Sequence, residues 1–459
     1  MARKPKIERF NEKVLSKFHI YNSLFLTLPF KSIKNTSILL PLFADHCKTC
    51  FDSNKSPKFI VETFFDKHLP YINEKDKYDL LFRFIQFIER QVVLFDAIED
   101  AAFPYVNNMH GRGTLRHIKE EAYNKQNLDE LINHLNKFKL RIVLTAHPTQ
   151  FYPDNVLVII NELSKAISSD NLDKTKTLLA QLGKTPFYKK VKPTPFDEDV
   201  SLIWYLENIF YNSASIIFNY IEKNFKSKKN FNNPIFDFGF WPGGDRDGNP
   251  FVTAEVTKRV ILLSRWEAAK LYEKSMTKLI RSYSMEKCSK KILKTTGKTY
   301  EPYRVFLRPL RDKMRITHRI IEQHLVNKKP LNQNLLLSSK EEILKPLRVV
   351  RESLEQNQNE NIASGELLDL MRRAKCFGIN LARLDIRQES ARHKQLISEF
   401  VKTKHKKNYS NFTEKEKIKF LKKFITFKSN KIGNFQFKNK ENKEVWTTFS
   451  TLSKEPPEC

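Results

Sequence analysis

The sequence predicts a mostly α protein that carries α/β units of the kind found in a barrel or a parallel sheet. Two observations predict it. Apolar residues recur at helical three-and-four spacing through most of the 459 residues. Three short stretches break that pattern, "LRIVLTAHPTQ", "FDFGFWPGGDRDGNP" and "FGINLARLDIRQESARH". Each has an apolar, strand-like approach followed by a polar cluster. Helix, strand, polar loop, helix is the rhythm of an α/β barrel or parallel sheet. In such folds chemistry collects in loops at the carboxyl ends of strands, where all three clusters fall.

The elements follow in chain order. In "YDLLFRFIQFIERQVVLFDAIEDAAF" the residues Leu81, Phe84, Ile85, Ile88, Val92, Phe95 and Ile98 form a helical stripe expected to be buried. "NLDELINHLNKF" repeats the pattern with Leu128, Leu131, Ile132, Leu135 and Phe138. A strand is expected from Arg141 to Leu144, then a helix with Asp154 as N-cap. Long helices fit Asp197 to about Phe225 and Ala254 to about Ser284, the second with Thr253 as N-cap. A helix ending at Cys376 and stopped by Gly378 precedes a strand over Leu381 to Ile386. This suggests three regions: a helical one over 1–138, barrel-like α/β units with long helical insertions over 139–395, and a lysine-rich region over 396–459.

Composition narrows the function. No run approaches the roughly 18 apolar residues that span a bilayer. The start, "MARKPKIERF", has no apolar segment after it, so a cytoplasmic protein without a secretory signal is expected. The net charge is +29, but the excess is mostly lysine, spread along the chain. The densest stretches, "EKNFKSKKN" and "VKTKHKKNYS", lack the aromatic interleaving of a base-stacking surface, so no nucleic-acid partner is expected. Five scattered cysteines argue against a disulfide framework. The C-x-x-C of "HCKTC" has no second pair at zinc-site spacing nearby.

The polar clusters carry the chemistry. His147 closes the first strand, and Pro148 fixes the turn after it. A histidine there either caps a turn or is delivered to a site. In the second cluster Gly243 and Gly244 permit backbone shapes closed to other residues. Asp245, Arg246, Asp247 and Asn249 pack charge into a tight loop. The loop opens like a calcium-binding one, but Pro250 and Val256 stand where glycine and glutamate are needed. It is expected to hold itself partly by Asp–Arg–Asp pairing. In the third cluster Arg383, Asp385 and Arg387 share one face of a strand, which is costly in a buried sheet unless they are paired or line a polar cavity. Asp385 can neutralise one arginine. The other suits an anionic ligand, because guanidinium grips carboxylate or phosphate with two prongs. "MHGRGTL" follows a helix rather than a strand and is expected to be a plain turn.

Together, "VLTAHPTQ", "GGDRDGNP" and "FGINLARLDIRQES", in this order and spacing, resemble phosphoenolpyruvate carboxylases. The resemblance covers at least His147 to Ser390. It implies an incomplete TIM-like barrel surrounded by many helices. It implies an anaplerotic reaction of phosphoenolpyruvate with bicarbonate, giving oxaloacetate and phosphate through carboxyphosphate and the enolate of pyruvate. The family uses Mg²⁺ or Mn²⁺, which stabilises the enolate oxygen, and its complete enzyme is a homotetramer. By motif, His147 matches the histidine that assists carboxylation, and Arg387 matches a substrate-anion ligand with Arg383 as its partner. Trp241 resembles a residue that walls the phosphoenolpyruvate pocket.

The sequence also departs from the family. Many relatives carry arginine shortly after the histidine block, where this chain reads "FYPDNV". The family's second glycine-rich loop, catalytic lysine and acidic metal ligands lie in a later half with no counterpart in these residues. The resemblance therefore implies a chain ending mid-fold and inactive alone, a possible separate C-terminal half as partner, and no metal ligands here. The alternative is a non-catalytic remnant acting as a binding or regulatory protein.

Overall fold

Side chains of Ser, Thr and Asn cap the starts of several helices, and between the caps the apolar periodicity becomes a mostly helical protein with one small sheet. The structure is a computed structural model; it describes residues 4–28, 36–145, 152, 154–187, 193–225, 231, 233–426 and 435–456. The chain divides into two units, residues 1–118 with 148–192, and residues 119–147 with 193–459. Among the described residues no helix is long and apolar enough to cross a membrane.

The first unit is all helical. Its longest helix, Glu74–Val106, is N-capped by Asn73, whose side chain accepts from the Asp76 N–H. Leu80, Phe84, Phe87, Leu94 and Ile98 turn into the core, against Phe25 and Phe64 from neighbouring helices. The expected stripe was only partly right. Ile85, Ile88 and Val92 are exposed, while Phe84 and Ile98 are buried. The helix is apolar on more than one face, so periodicity alone does not say which face turns inward. Cys47 and Cys50 lie on the helix Thr36–Asp52 as free thiols, with Cys50 Sγ 3.6 Å from His46 Nε2. The "MHGRGTL" segment is a turn, as expected.

The second unit contains the sheet. β1 (Leu140–Leu144), β2 (Phe236–Phe240) and β3 (Arg383–Leu384) are parallel and lie in that order. The described residues thus form three parallel strands rather than a closed barrel. Phe236, Phe238 and Phe240 share one face with Ile142, Leu144 and Leu384, and that face packs on the core. Phe238 stacks on Phe377, ring centres 5.0 Å apart. The helix Ala254–Ser282 is N-capped by Thr253, as expected, and packs along the helix Pro302–Asn327. The helix Glu366–Phe377 stops at Gly378, which takes φ +64°. The helix Asp154–Ser168 begins where expected.

β3 is shorter than Leu381 to Ile386. On the side of β3 away from β2, the Ser264 hydroxyl lies 3.3 Å from the Ala382 backbone nitrogen and 3.4 Å from the Ala382 carbonyl oxygen.

Arg265 and Asp199 are the charged groups buried deepest in this unit. Arg265 faces Glu455 at 3.6 Å and donates to the Leu337 carbonyl. Asp199 is fully buried, and neither carboxylate oxygen has a hydrogen-bond partner among the described residues. Burial pushes its pKa well above the ordinary carboxylate value of 3.8. The folded state therefore keeps a proton that the unfolded chain releases. Stability is fully present below the ordinary value and falls as pH rises toward the raised one. We expect Asp199→Asn to flatten that fall in denaturant-unfolding curves taken across the acid-to-neutral range. An unchanged pH profile in the variant would show that Asp199 is not its source.

Candidate functional site

Parallel strands send the second and third polar clusters to one end of the sheet, the end at which β1 also stops. β1 ends at Leu144, and His147 lies outside the described residues. β2 runs into Trp241 and the glycine loop, and β3 runs into Asp385 and Arg387. The last two loops stay laced together beyond the strands. Asp385 N–H donates to the Phe240 carbonyl at 2.8 Å, Arg387 N–H to Gly244 at 3.0 Å, and Arg246 N–H to Arg387 at 3.1 Å.

This lacing needs two glycines. Gly243 takes φ +76°, in the left-handed region. A side chain on Gly244 would collide with the Asp385 carbonyl and meet Leu384 at 2.9 Å. The loop therefore lies flat against the β3 exit. That places the Arg387 guanidinium 4.3 Å from the centre of the Trp241 ring, in cation–π contact. Asp245 lies 3.8 Å from the same guanidinium. Arg387 remains about half exposed, so its outer edge is open to an anion. The Trp241 indole N–H is buried and has no acceptor among the described residues.

Arg246 behaves differently from expectation. It pairs with neither Asp245 nor Asp247 but is buried and directed away. Its guanidinium donates to the Val252 carbonyl at 3.0 Å, to Thr448 and to Glu444 at 2.9 Å. Glu444 also accepts from the Ala254 N–H, which opens the long helix. Arg246 therefore anchors the loop to the helix Lys440–Leu452. Asp245 Oδ1 accepts from the Asp247 N–H, and Asn249 Oδ1 from the Phe251 N–H; Asp247 and Asn249 are themselves exposed.

Further down the sheet a charged ladder crosses the face opposite the aromatic one. Arg383 lies 3.3 Å from Asp237, and Arg141 lies 4.0 Å from Asp237 and 2.5 Å from Asp385. Asp385 thus pairs with β1, not with the arginines of its own strand. β2 lies between β1 and β3, and the long Arg141 side chain reaches Asp385 by crossing Gly239, which has no side chain in its way. Asp237 and Gly239 escaped the sequence reading. The cue was the strict alternation in "FDFGF", which puts a charge and a glycine together on the face opposite the three phenylalanines.

Gly239 is small because Arg141 crosses it. An added Cβ would lie 2.8 Å from Arg141 Nη2. We expect Gly239→Ala to cost about 1 kcal/mol, and to cost almost nothing in an Arg141→Met background. A penalty that persists there would place the collision in the backbone instead.

Among the described residues no three His, Cys, Asp or Glu side chains are grouped to hold a metal ion. Asp237, Asp245 and Asp385 each face an arginine.

Comparison with known proteins gives this geometry a family. A family model described as phosphoenolpyruvate carboxylase matches residues 80–459. A phosphoenolpyruvate carboxylase of Photorhabdus laumondii is 33% identical over 360 residues, 74% of this chain and 41% of that protein. One from Vibrio vulnificus is 35% identical over 357 residues, covering 74% of this chain and 40% of that protein. The chain spans about two fifths of the length of these curated relatives. By the extent of the family match, the chain belongs to the phosphoenolpyruvate carboxylase family.

Proposed function

We propose that this chain carries the anion-binding strand ends of a phosphoenolpyruvate carboxylase, a carboxy-lyase. The observation that carries the reading is Arg387, stacked on Trp241 and half open at the carboxyl end of parallel strands. The three strands and the helices between them are the opening part of an eight-stranded α/β barrel. Further strands continue the sheet, and the charged ladder of Arg141, Asp237, Arg383 and Asp385 faces its interior.

In the proposed reaction a bicarbonate oxygen attacks the phosphorus of phosphoenolpyruvate. The bond from phosphorus to the enol oxygen breaks, leaving carboxyphosphate and the enolate of pyruvate. Carboxyphosphate releases phosphate and carbon dioxide, and the enolate carbon attacks the carbon dioxide to give oxaloacetate. Arg387 holds a substrate oxyanion by charge and by its two-pronged fork. Trp241 holds the guanidinium flat and gives the pocket an apolar wall. His147 assists the carboxylation, and Arg383 is the more distant partner. Gly243 and Gly244 keep the loop low enough for Arg387 to reach the substrate. Asp237, Asp245 and Asp385 do not fit the divalent cation, Mg²⁺ or Mn²⁺, of the family reaction, because each already faces an arginine. Its ligands therefore belong to another part of the complete enzyme.

The test is phosphoenolpyruvate-dependent fixation of labelled bicarbonate with Mg²⁺. The purified chain is assayed alone and with the part of a curated relative that it does not match, supplied as a second polypeptide. Fixation in the mixture, lost in His147→Asn, is the expected result. Silence in both, with both polypeptides folded and associated, would overturn the proposal.

A further inference from the structure

We propose that Glu444 is a positioning residue of the Trp241–Arg387 site. It holds the Arg246 side chain away from the glycine loop, which leaves Asp245 free to orient Arg387. The inference rests on the reading of Arg387 as the substrate-anion ligand. Glu444 lies on the helix Lys440–Leu452, outside all three polar clusters.

Arg246 sits between Asp245 and Asp247, the two nearest carboxylates along the chain. Adjacent arginine and aspartate do pair in this protein, as Arg311 and Asp312 show at 2.7 Å. At the loop that pairing does not form. The Arg246 guanidinium is buried, and all three of its nitrogens are engaged elsewhere. Nε donates to the Val252 carbonyl, Nη1 to the Thr448 hydroxyl and Nη2 to Glu444. Thr448 follows Glu444 by four residues, so one face of the helix supplies both. Glu444 is the carboxylate that meets this guanidinium among the described residues. A buried charge stripped of its counter-charge is costly and seeks another. Without Glu444 the carboxylates in reach are Asp245 and Asp247.

The backbone carries the consequence to Arg387. Arg246 N–H donates to the Arg387 carbonyl at 3.1 Å, and Arg387 N–H donates to the Gly244 carbonyl at 3.0 Å. Asp245 lies between those two bonds, with its carboxylate 3.8 Å from the Arg387 guanidinium. An Arg246 side chain turned back onto Asp245 would twist the first bond. It would also take Asp245 from Arg387, which then loses its hold over the Trp241 ring. The same Glu444 oxygen accepts from the Ala254 N–H at 2.5 Å, so it fixes the far end of the loop as well.

The test reads Trp241 fluorescence in the full chain. Each variant is taken as the difference from the same chain carrying Trp241→Phe, which removes the signal of Trp446 on the Glu444 helix. Arg387→Ala and Glu444→Ala are expected to shift the Trp241 emission in the same direction, because each takes the guanidinium off the ring. Arg246→Met/Glu444→Ala should return the emission toward wild type, since methionine fills the buried path without a charge that seeks Asp245. A merely structural role for Glu444 predicts a double variant at least as disturbed as the single one. Titration of the same chains with phosphoenolpyruvate gives the functional arm. Affinity should fall about tenfold in Glu444→Ala and recover in the double variant, as expected of residues sharing one network. Wild-type Trp241 emission in Glu444→Ala, or no recovery in the double variant, would overturn the proposal. Unchanged phosphoenolpyruvate affinity in Arg387→Ala, with the emission shifts as expected, would instead overturn the reading of Arg387 as a substrate ligand and leave its positioning by Glu444 standing.

Discussion

Gly244→Ala is expected to destabilise the chain by about 3 kcal/mol, at the upper end for overpacked positions. The added methyl would collide with the Asp385 carbonyl and meet the Leu384 side chain. Leu384 belongs to the buried core, and Asp385 is bonded through its N–H to Phe240, so neither neighbour gives easily. The loop must lift, breaking the bond from the Arg387 N–H to the Gly244 carbonyl and drawing Arg387 off Trp241. Urea unfolding measures the loss. A stability within about 0.5 kcal/mol of wild type, the spread of neutral surface changes, would show that the β2 and β3 exits are not held as tightly as described.

Arg387→Ala is expected to do the opposite: little to stability, much to chemistry. The guanidinium is half exposed, its carboxylate neighbour is 3.8 Å away, and exposed pairs contribute about 1 kcal/mol or less. Losing the charged partner of a substrate anion costs about 2–5 kcal/mol, a fall of roughly 30-fold to several thousand-fold in fixation by the chain supplied with the unmatched part of a relative. Arg387→Lys should recover only part of this, since an ammonium keeps the charge but not the fork or the flat face on Trp241. Alanine activity within about threefold of wild type would remove Arg387 from the substrate site, since that is under 1 kcal/mol.

The two glycine positions differ in an instructive way. At Gly239 the obstacle is the end of a flexible arginine, which can swing aside. At Gly244 it is backbone. A sequence displays the same letter at both.

Local physics explains what was legible. Helical periodicity, the Thr253 cap and the Gly378 stop depend on residues within a turn or two, so the helices Ala254–Ser282 and Glu366–Phe377 were readable. Strand parity was readable for the same reason, and it placed Arg383, Asp385 and Arg387 opposite Ala382, Leu384 and Ile386. Motif order in the three polar clusters pointed to the family, to which residues 80–459 belong.

Pairing was not legible, because it is decided by partners far away in sequence. Asp385 meets Arg141 across 244 positions, and Arg246 meets Glu444 across 198. Ser264 reaches the Ala382 backbone from a helix 118 positions away. Which apolar face of Glu74–Val106 turns inward was likewise settled by the helices packed against it, not by its own pattern. The sequence by itself determined the helices, the strand faces and the family. Only the tertiary structure decided which charges meet, because electrostatic pairing depends on distance in space and the chain order does not contain it.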